Sequence, residues 1–329
     1  MGPFARRGRV GRWLASAVLV ASLAAALVHA QPAAARPSTL EVSVYIAEAQ
    51  HFSIADESVD ADVWVSGYWR DPRILPISNL VAVNEVANQL REVLPARPQR
   101  LPDGRFHQAL HIRGTFDQSN SLGDYPFDTQ TLRMSFEERS FDASRIVMVP
   151  GNPPITADSA IHLAGFHIGE PVLTLSRHVY PPNFRGMTGR AGFAQMTAAL
   201  PVTRPLAGAL LTTFVPIVIV LVSAGLMFAV RADYVDARIG IGVTSLLTLV
   251  ALQLAEADKL PVLGYATVLE LIVIASYVFI VSALALVART SWLVRQDDGI
   301  TRAIRFDRRA VAVLAGCYVA AVAVILLAR

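Results

Sequence analysis

Between residues 237 and 257 an apolar run carries side chains whose types and spacing suit the passage of ions rather than the making of bonds. Counting from Asp236 in steps of three or four gives Asp236, Gly240, Thr244, Leu247, Ala251, Leu254 and Asp258, all on one face of a helix. That stripe is acidic at both ends, small and polar near its start, and apolar in the middle. Several such helices around an axis enclose a pore with charged mouths and a dewetting constriction at Leu247 and Leu254. Small residues also suit a packing face between membrane helices, so spacing alone leaves both readings open. Bond-making chemistry finds no footing. There is no Gly-x-Ser-x-Gly, no His-Glu-x-x-His and no pair of intramembrane acids, so a membrane hydrolase lacks its nucleophile and base. Cys317 stands alone, which excludes an internal disulfide and a cysteine metal site. His107 and His111 make no metal pair either, because residues four apart in a strand are ~13 Å from one another. No cofactor is expected.

The stripe needs a membrane-spanning scaffold, and the composition supplies one. The 329 residues are 53% hydrophobic with a mean hydropathy of +0.45, too apolar for an ordinary soluble domain. Beyond Pro205 come four apolar segments, at about 206–230, 237–257, 265–287 and 310–327, each near the ~20 residues that cross a bilayer as a helix. At the other end, Arg6, Arg7, Arg9 and Arg12 precede an apolar stretch from Leu14 to Val28 and a small-residue site at Val28-His29-Ala30. Residues 1–30 therefore read as a secretory signal peptide, with an uncleaved anchor as the alternative. Export of the domain beyond it makes the linkers at 231–238 and 288–309 cytoplasmic. They hold Arg231, Arg238, Arg289, Arg295, Arg302, Arg305, Arg308 and Arg309, whereas the outward linker 256–264 has only Lys259. This asymmetry obeys the positive-inside rule.

After a linker at 31–39, residues 40–203 run in short alternating stretches broken by Pro, Gly, Asp and Asn. Leu40, Val42, Val44 and Ile46 alternate with Glu41, Ser43 and Tyr45, and Leu132, Met134 and Phe136 do so around Arg133 and Ser135. Period-two patterns of this kind put one face in a core and read as a β-sandwich. The expected fold class is thus an all-β outer domain over 40–203 and an all-α four-helix transmembrane domain over 204–329. The net charge of +3 is small and the arginines are scattered, so nucleic-acid binding has no support.

Several motifs fall in one order along the chain. Tyr125-Pro126-Phe127-Asp128-Thr129-Gln130 resembles the Phe/Tyr-Pro-Phe-Asp-x-Gln loop of pentameric ligand-gated ion channels, and Trp69-Arg70-Asp71-Pro72-Arg73-Ile74 is similar to that family's Trp-x-Asp-x-Arg-Leu run. Arg204 matches its arginine before the first membrane helix, Pro216 a proline within that helix, and Leu247 its mid-pore leucine. Lys259-Leu260-Pro261 resembles the end of its pore helix, and Ala237-Arg238 through Thr244 looks like the start of the glycine-receptor pore helix. Eukaryotic members bracket the loop with a disulfide at places that here hold Gln118 and Leu132; its absence resembles the bacterial, or prokaryotic, branch. One departure stands out: between Arg73 and Tyr125 the chain is shorter than the family pattern and lacks a Trp-x-Pro that contributes to the agonist pocket.

The resemblance implies a homopentamer in the cell's inner membrane, its outer domain periplasmic and its second helix lining the pore. Lipid, monovalent ions, and a small-molecule agonist or protons are the implied partners. It also implies that Asp128 pairs with Arg204 to hold the Tyr125–Pro126–Phe127 loop over the membrane helices, with Asp56, Glu57, Lys259 and Pro261 as neighbours. Read as side chains alone, Asp128 caps a turn and Arg204 snorkels to headgroups. A hairpin from Tyr180 to Phe193 is placed to close over an agonist, and Tyr180, Phe184 and Phe193 serve there as a cation cage or as packing.

Two signals disagree about the permeant ion. Ala237-Arg238 resembles anion-selective channels, but Asp236 occupies the place of their proline, and a ring of carboxylates favours cations. Arg238 sits about 200° around the helix from Asp236 and points away from the lumen. An anion-selective pore remains if Asp236 pairs with Arg231 or Arg238, leaving helix-end dipoles to face the ion. For gating, His51, His107, His111, His162, His167 and His178 all lie in the exported domain, where they sense protons or are ordinary surface residues. Glu270, inside the third segment, is a functional candidate or a hydrated interfacial acid. A non-conducting receptor on the same scaffold is the rival reading.

Overall fold

A computed structural model describes residues 37–181, 192–295 and 299–328. The expected signal peptide over 1–30, most of the linker 31–39, and Phe184 lie outside the described residues. The outer domain consists of ten strands: β1 (Ser38–Ser53), β2 (Ser58–Trp69), β3 (Leu80–Ala82), β4 (Glu85–Arg100), β5 (Phe106–Asp117), β6 (Thr129–Glu138), β7 (Ile146–Ala157), β8 (His167–Ile168), β9 (Val172–Val179) and β10 (Gly192–Thr203). One sheet runs β4-β5-β2-β1-β7 and the other β3-β6-β10-β8, with β9 also paired to β10. The alternating side chains supply the core between them. Leu40, Val42, Val44 and Ile46 of β1 and Leu110, Ile112 and Phe116 of β5 meet Leu132, Met134 and Phe136 of β6 and Met196, Ala198 and Leu200 of β10. Phe116 and Phe136 cross edge to face at 6.3 Å, binding the two sheets together.

Four helices among the described residues are long and apolar enough to cross a membrane. Helix α1 (Leu206–Leu226) contains a π-helical turn over Leu210–Phe214. Pro216 accounts for it: a proline cannot donate to the carbonyl four residues back, and widening the helix relieves the clash. Helix α2 spans Val235–Ala257, α3 Val268–Val294 and α4 Gly299–Leu327. Helix α3 touches the other three, and α4 packs chiefly along it.

The helix limits differ from those read off hydropathy. Helix α1 stops at Leu226, where turns begin. Helix α3 starts at Val268 because Thr267 and Glu270 form a reciprocal cap: the Thr267 N–H donates to Glu270 Oε2 at 2.8 Å, and the Glu270 N–H to Thr267 Oγ1 at 3.1 Å. Glu270 therefore closes a helix end and is exposed there. Helix α4 begins at Gly299 rather than near 310, so most of the expected 288–309 linker is helical. Its first turns bury Ala303 and Asp307, residues that contribute no apolar run for hydropathy to find.

Candidate functional site

Helix α2 has two unlike sides. Asp236, Gly240, Thr244, Leu247, Ala251, Leu254 and Asp258 are all exposed, with Leu247 at 64% and Leu254 at 63% of full exposure. On the opposite side Arg238, Gly242, Ser245 and Leu249 are buried. Gly242 is there for space: a Cβ on it would lie 2.4 Å from Leu284 Cδ2 of α3. Near the outer end the Tyr277 hydroxyl of α3 donates to Gln253 Oε1 at 2.6 Å. These contacts set the rotation of α2 about its own axis. The face they leave uncovered carries two acids, Asp236 and Asp258, at opposite ends of an apolar midsection.

At the start of α2 the arginines have taken other partners than Asp236. Arg231 Nη2 pairs with Asp233 at 3.0 Å. Arg238 is fully buried and donates to the Met227 carbonyl at 2.9 Å, Thr290 Oγ1 at 3.2 Å and Asp307 Oδ2 at 2.8 Å. The arrangement in which Asp236 pairs with Arg231 or Arg238 is not adopted.

At the outer end the Tyr125 loop is joined to the helices by backbone bonds and apolar contact. The free N–H groups of the first turn of α3 find loop carbonyls: Val268 donates to Gly123 at 2.9 Å and Leu269 to Tyr125 at 3.2 Å. The Leu122 N–H donates to the Tyr265 hydroxyl at 3.1 Å. Phe127 stacks on Phe214 of α1 at 5.3 Å, while Leu122 and Tyr125 share one apolar cluster with Leu269 and Val273 of α3, and Leu260 and Leu263 pack on its edge. The Tyr125 hydroxyl donates to Glu256 Oε2 of α2 at 3.4 Å, and Lys259 pairs with the same carboxylate at 2.6 Å. Burial, with Glu256 adding to it, pushes the Tyr125 phenol up to about 12, so it remains a donor. Pro126 is buried and Pro261 half-buried beside this joint.

The expected Asp128–Arg204 ion pair is not formed among the described residues. Asp128 is buried and accepts from the Gln130 side chain, and its Oδ1 has no partner among the described residues. The Arg204 guanidinium instead lies over the rings of Tyr125 and Phe166, at 5.2 and 5.0 Å. Two aromatic faces offer a cation partial desolvation without a fixed geometry, and Arg204 takes them in preference to the carboxylate. Asp56 and Glu57 likewise serve their own turn. Asp56 accepts from the Ser53 hydroxyl at 2.7 Å, and the Glu57 carbonyl accepts from the Gln118 N–H at 2.6 Å. The residue of that turn that reaches the membrane-domain cluster is Ile54. Ile54 and Glu256 were missed on sequence because one is a lone apolar residue in a turn and the other lies off the stripe.

Where the family's disulfide would bracket the loop, a side-chain amide does the bracketing. Gln118 is buried; its Oε1 accepts from the Arg133 N–H at 2.8 Å and its Nε2 donates to the Arg133 carbonyl at 3.0 Å. Leu132 belongs to the sandwich core.

Of the three aromatics expected at the hairpin, Tyr180 and Phe193 are described. Phe193 is buried and meets Tyr180 edge to face at 5.7 Å, which makes it packing rather than an open cage wall. Beneath Tyr180 lies a group that sequence reading missed, the fully buried Glu137. It accepts from the Tyr180 hydroxyl at 3.0 Å and from Arg139 at 3.1 Å, and it meets His178 Nδ1 at 3.1 Å. The next carboxyl, Glu138, is raised by burial against the backbone donors of Phe141 and Ser140. Elsewhere His51 sits on Asp60 at 3.1 Å, His111 on Asp62 at 2.8 Å, and His107 against the Tyr68 ring. No group of three or more metal-ligating side chains occurs among the described residues.

No protein-family model matches the chain. Among curated proteins it is similar to the gamma-aminobutyric acid receptor subunit beta-4 of Gallus gallus, 24% identical over 271 residues that cover 75% of this chain and 54% of the relative. The subunit beta of Caenorhabditis elegans is 19% identical over 274 residues, covering 74% and 47%. The subunit alpha-2 of Homo sapiens is 21% identical over 278 residues, covering 77% and 60%. The chain thus spans about half the length of the curated relatives it matches.

Proposed function

We propose that this chain, a homologue of Cys-loop pentameric ligand-gated channel subunits and a multi-pass membrane protein, is one subunit of a homopentameric ligand-gated channel of the bacterial inner membrane. The observation that carries the reading is the one-sidedness of α2: its packed face fixes the rotation, and its uncovered face bears the acid-ended stripe. Five copies around an axis put Asp236 at the inner mouth, Leu247 and Leu254 at the constriction and Asp258 at the outer mouth. The arginine-rich inner linkers support a periplasmic outer domain. An agonist, small molecule or proton, acts on the outer domain; Tyr180 over the buried Glu137 supports a cationic group as the chemistry taken there. The effect of the agonist reaches α3 through the carbonyls of Gly123 and Tyr125, and α2 through Glu256.

Asp236 makes the pore cation-selective, since Arg231 and Arg238, the arginines nearest it in sequence, are paired with Asp233 and Asp307 instead. The second reading, an anion pore, rests on Ala237-Arg238 and is weakened by the burial of Arg238. Purified protein in liposomes under a potassium chloride gradient tests both. The expected reversal lies near the potassium potential, and Asp236→Ala moves it toward the chloride potential. A parent reversal near the chloride potential overturns cation selectivity, an unshifted mutant removes Asp236 from the explanation, and absence of any flux favours the non-conducting receptor.

A further inference from the structure

The inner end of the bundle holds a charge that the pore stripe does not account for. Arg238 follows Asp236 by two residues, yet its side chain runs the other way, into the contact of all four helices. It has no exposed surface. Its donors reach the end of α1 at Met227, α3 at Thr290 and α4 at Asp307, and the Phe228 ring lies 5.5 Å from the guanidinium. Asp307 is the one acid that meets it among the described residues, and is itself 3% exposed. Among the described residues the other oxygen of Asp307 has no partner, so that there the carboxylate pairs with Arg238 alone.

We propose that Asp307, on a helix that contributes nothing to the pore stripe, sets the charge selectivity of the inner mouth by neutralising Arg238. The inference rests on the channel reading above and deepens it. Buried charges are poorly screened by salt, so an uncompensated guanidinium immediately behind Asp236 projects a positive field into the mouth. With Asp307 in place the pair is neutral at a distance, and the ion meets the field of Asp236. The Ala237-Arg238 signature, which in isolation points to anions, is cancelled by a residue 69 positions away.

A charge cycle separates this from a merely structural role. Reversal potentials are measured in liposomes under a potassium chloride gradient for the parent, Asp307→Asn, Asp307→Glu, Arg238→Gln and the Arg238→Gln/Asp307→Asn double variant. Asp307→Asn, which keeps shape and removes charge, is expected to lower the cation-to-anion permeability ratio severalfold. Asp307→Glu stays near the parent, Arg238→Gln raises the ratio, and the double variant returns it to the parent value. Loss of packing alone leaves the double variant at least as far from the parent as either single one. An Asp307→Asn reversal equal to the parent's, or a double variant that stays with Asp307→Asn, overturns the inference. Should Asp307→Asn not assemble, Arg238→Gln decides, and an unchanged ratio there overturns it equally. A cation-selective parent leaves the variants to test this inference alone; an anion-selective parent overturns the cancellation of the Ala237-Arg238 signature, and a parent that passes no ions overturns the channel reading and the inference with it.

Discussion

Arg204 is held by two aromatic faces while Asp128, close along the same joint, is held by an amide. The distinction is measurable. A double-mutant cycle between Arg204 and Tyr125, using Arg204→Gln and Tyr125→Leu, is expected to give a coupling of about 1–2 kcal/mol in the thermal unfolding of detergent-solubilised protein. The cycle between Arg204→Gln and Asp128→Asn should fall within about 0.5 kcal/mol of additivity; a larger value would restore the ion pair. His107 offers a test by pH. Burial lowers its pKa below the ordinary 6.5, so the folded form holds a neutral ring where the unfolded chain takes up a proton. Stability is then complete above about pH 6.5 and falls as the pH drops toward the folded value. Replacing His107 by Gln should flatten that acid limb of the unfolding midpoint. An identical limb in the variant would assign it to other groups.

At the level of elements, the rotation of α2 rests on two glycines two residues apart. Gly240 faces open space, whereas a Cβ on Gly242 meets Leu284 and Met227 of neighbouring elements. Gly240→Ala is therefore expected to raise stability by up to ~1 kcal/mol through helix propensity. Gly242→Val should cost about 1–3 kcal/mol by overpacking against α3. Equal responses of the two in thermal unfolding would show that α2 is turned differently. On the uncovered face, Leu247→Ser lets water persist at the constriction and should raise ion leak in the absence of agonist; a leak equal to the parent's would move the barrier elsewhere, with Leu254 the next candidate. At the joint, Val268 and Leu269 bond to loop carbonyls, so the N-terminus of α3 is tied to the loop by bonds that side-chain truncation does not remove.

For the whole molecule, a single protomer leaves Leu247, Leu254 and the rest of the stripe open, and the proposed ring of copies would cover it. Native mass measurement of the solubilised protein should find five chains, and a monomer or dimer as the largest stable species would sink the pore arrangement. Much of this architecture was legible in the sequence because it depends on neighbours along the chain. Apolar runs of membrane length mark the helices, period-two alternation in residues such as Leu40 to Ile46 marks the sandwich, and the Tyr125 to Gln130 motif marks the loop at the joint. The partners were not legible. Tyr125 meets Glu256 across 131 positions and Arg238 meets Asp307 across 69, and nothing in local spacing chooses between those acids and Asp128 or Asp236. Helix limits at Thr267 and Gly299 escaped hydropathy for a related reason, since caps and buried Ala or Asp leave no apolar signal. Residue order along the chain is enough to set the elements and the apolar face of each. Which charge is buried against which is settled only in the folded molecule, because desolvation and packing make that choice among residues brought together from far apart.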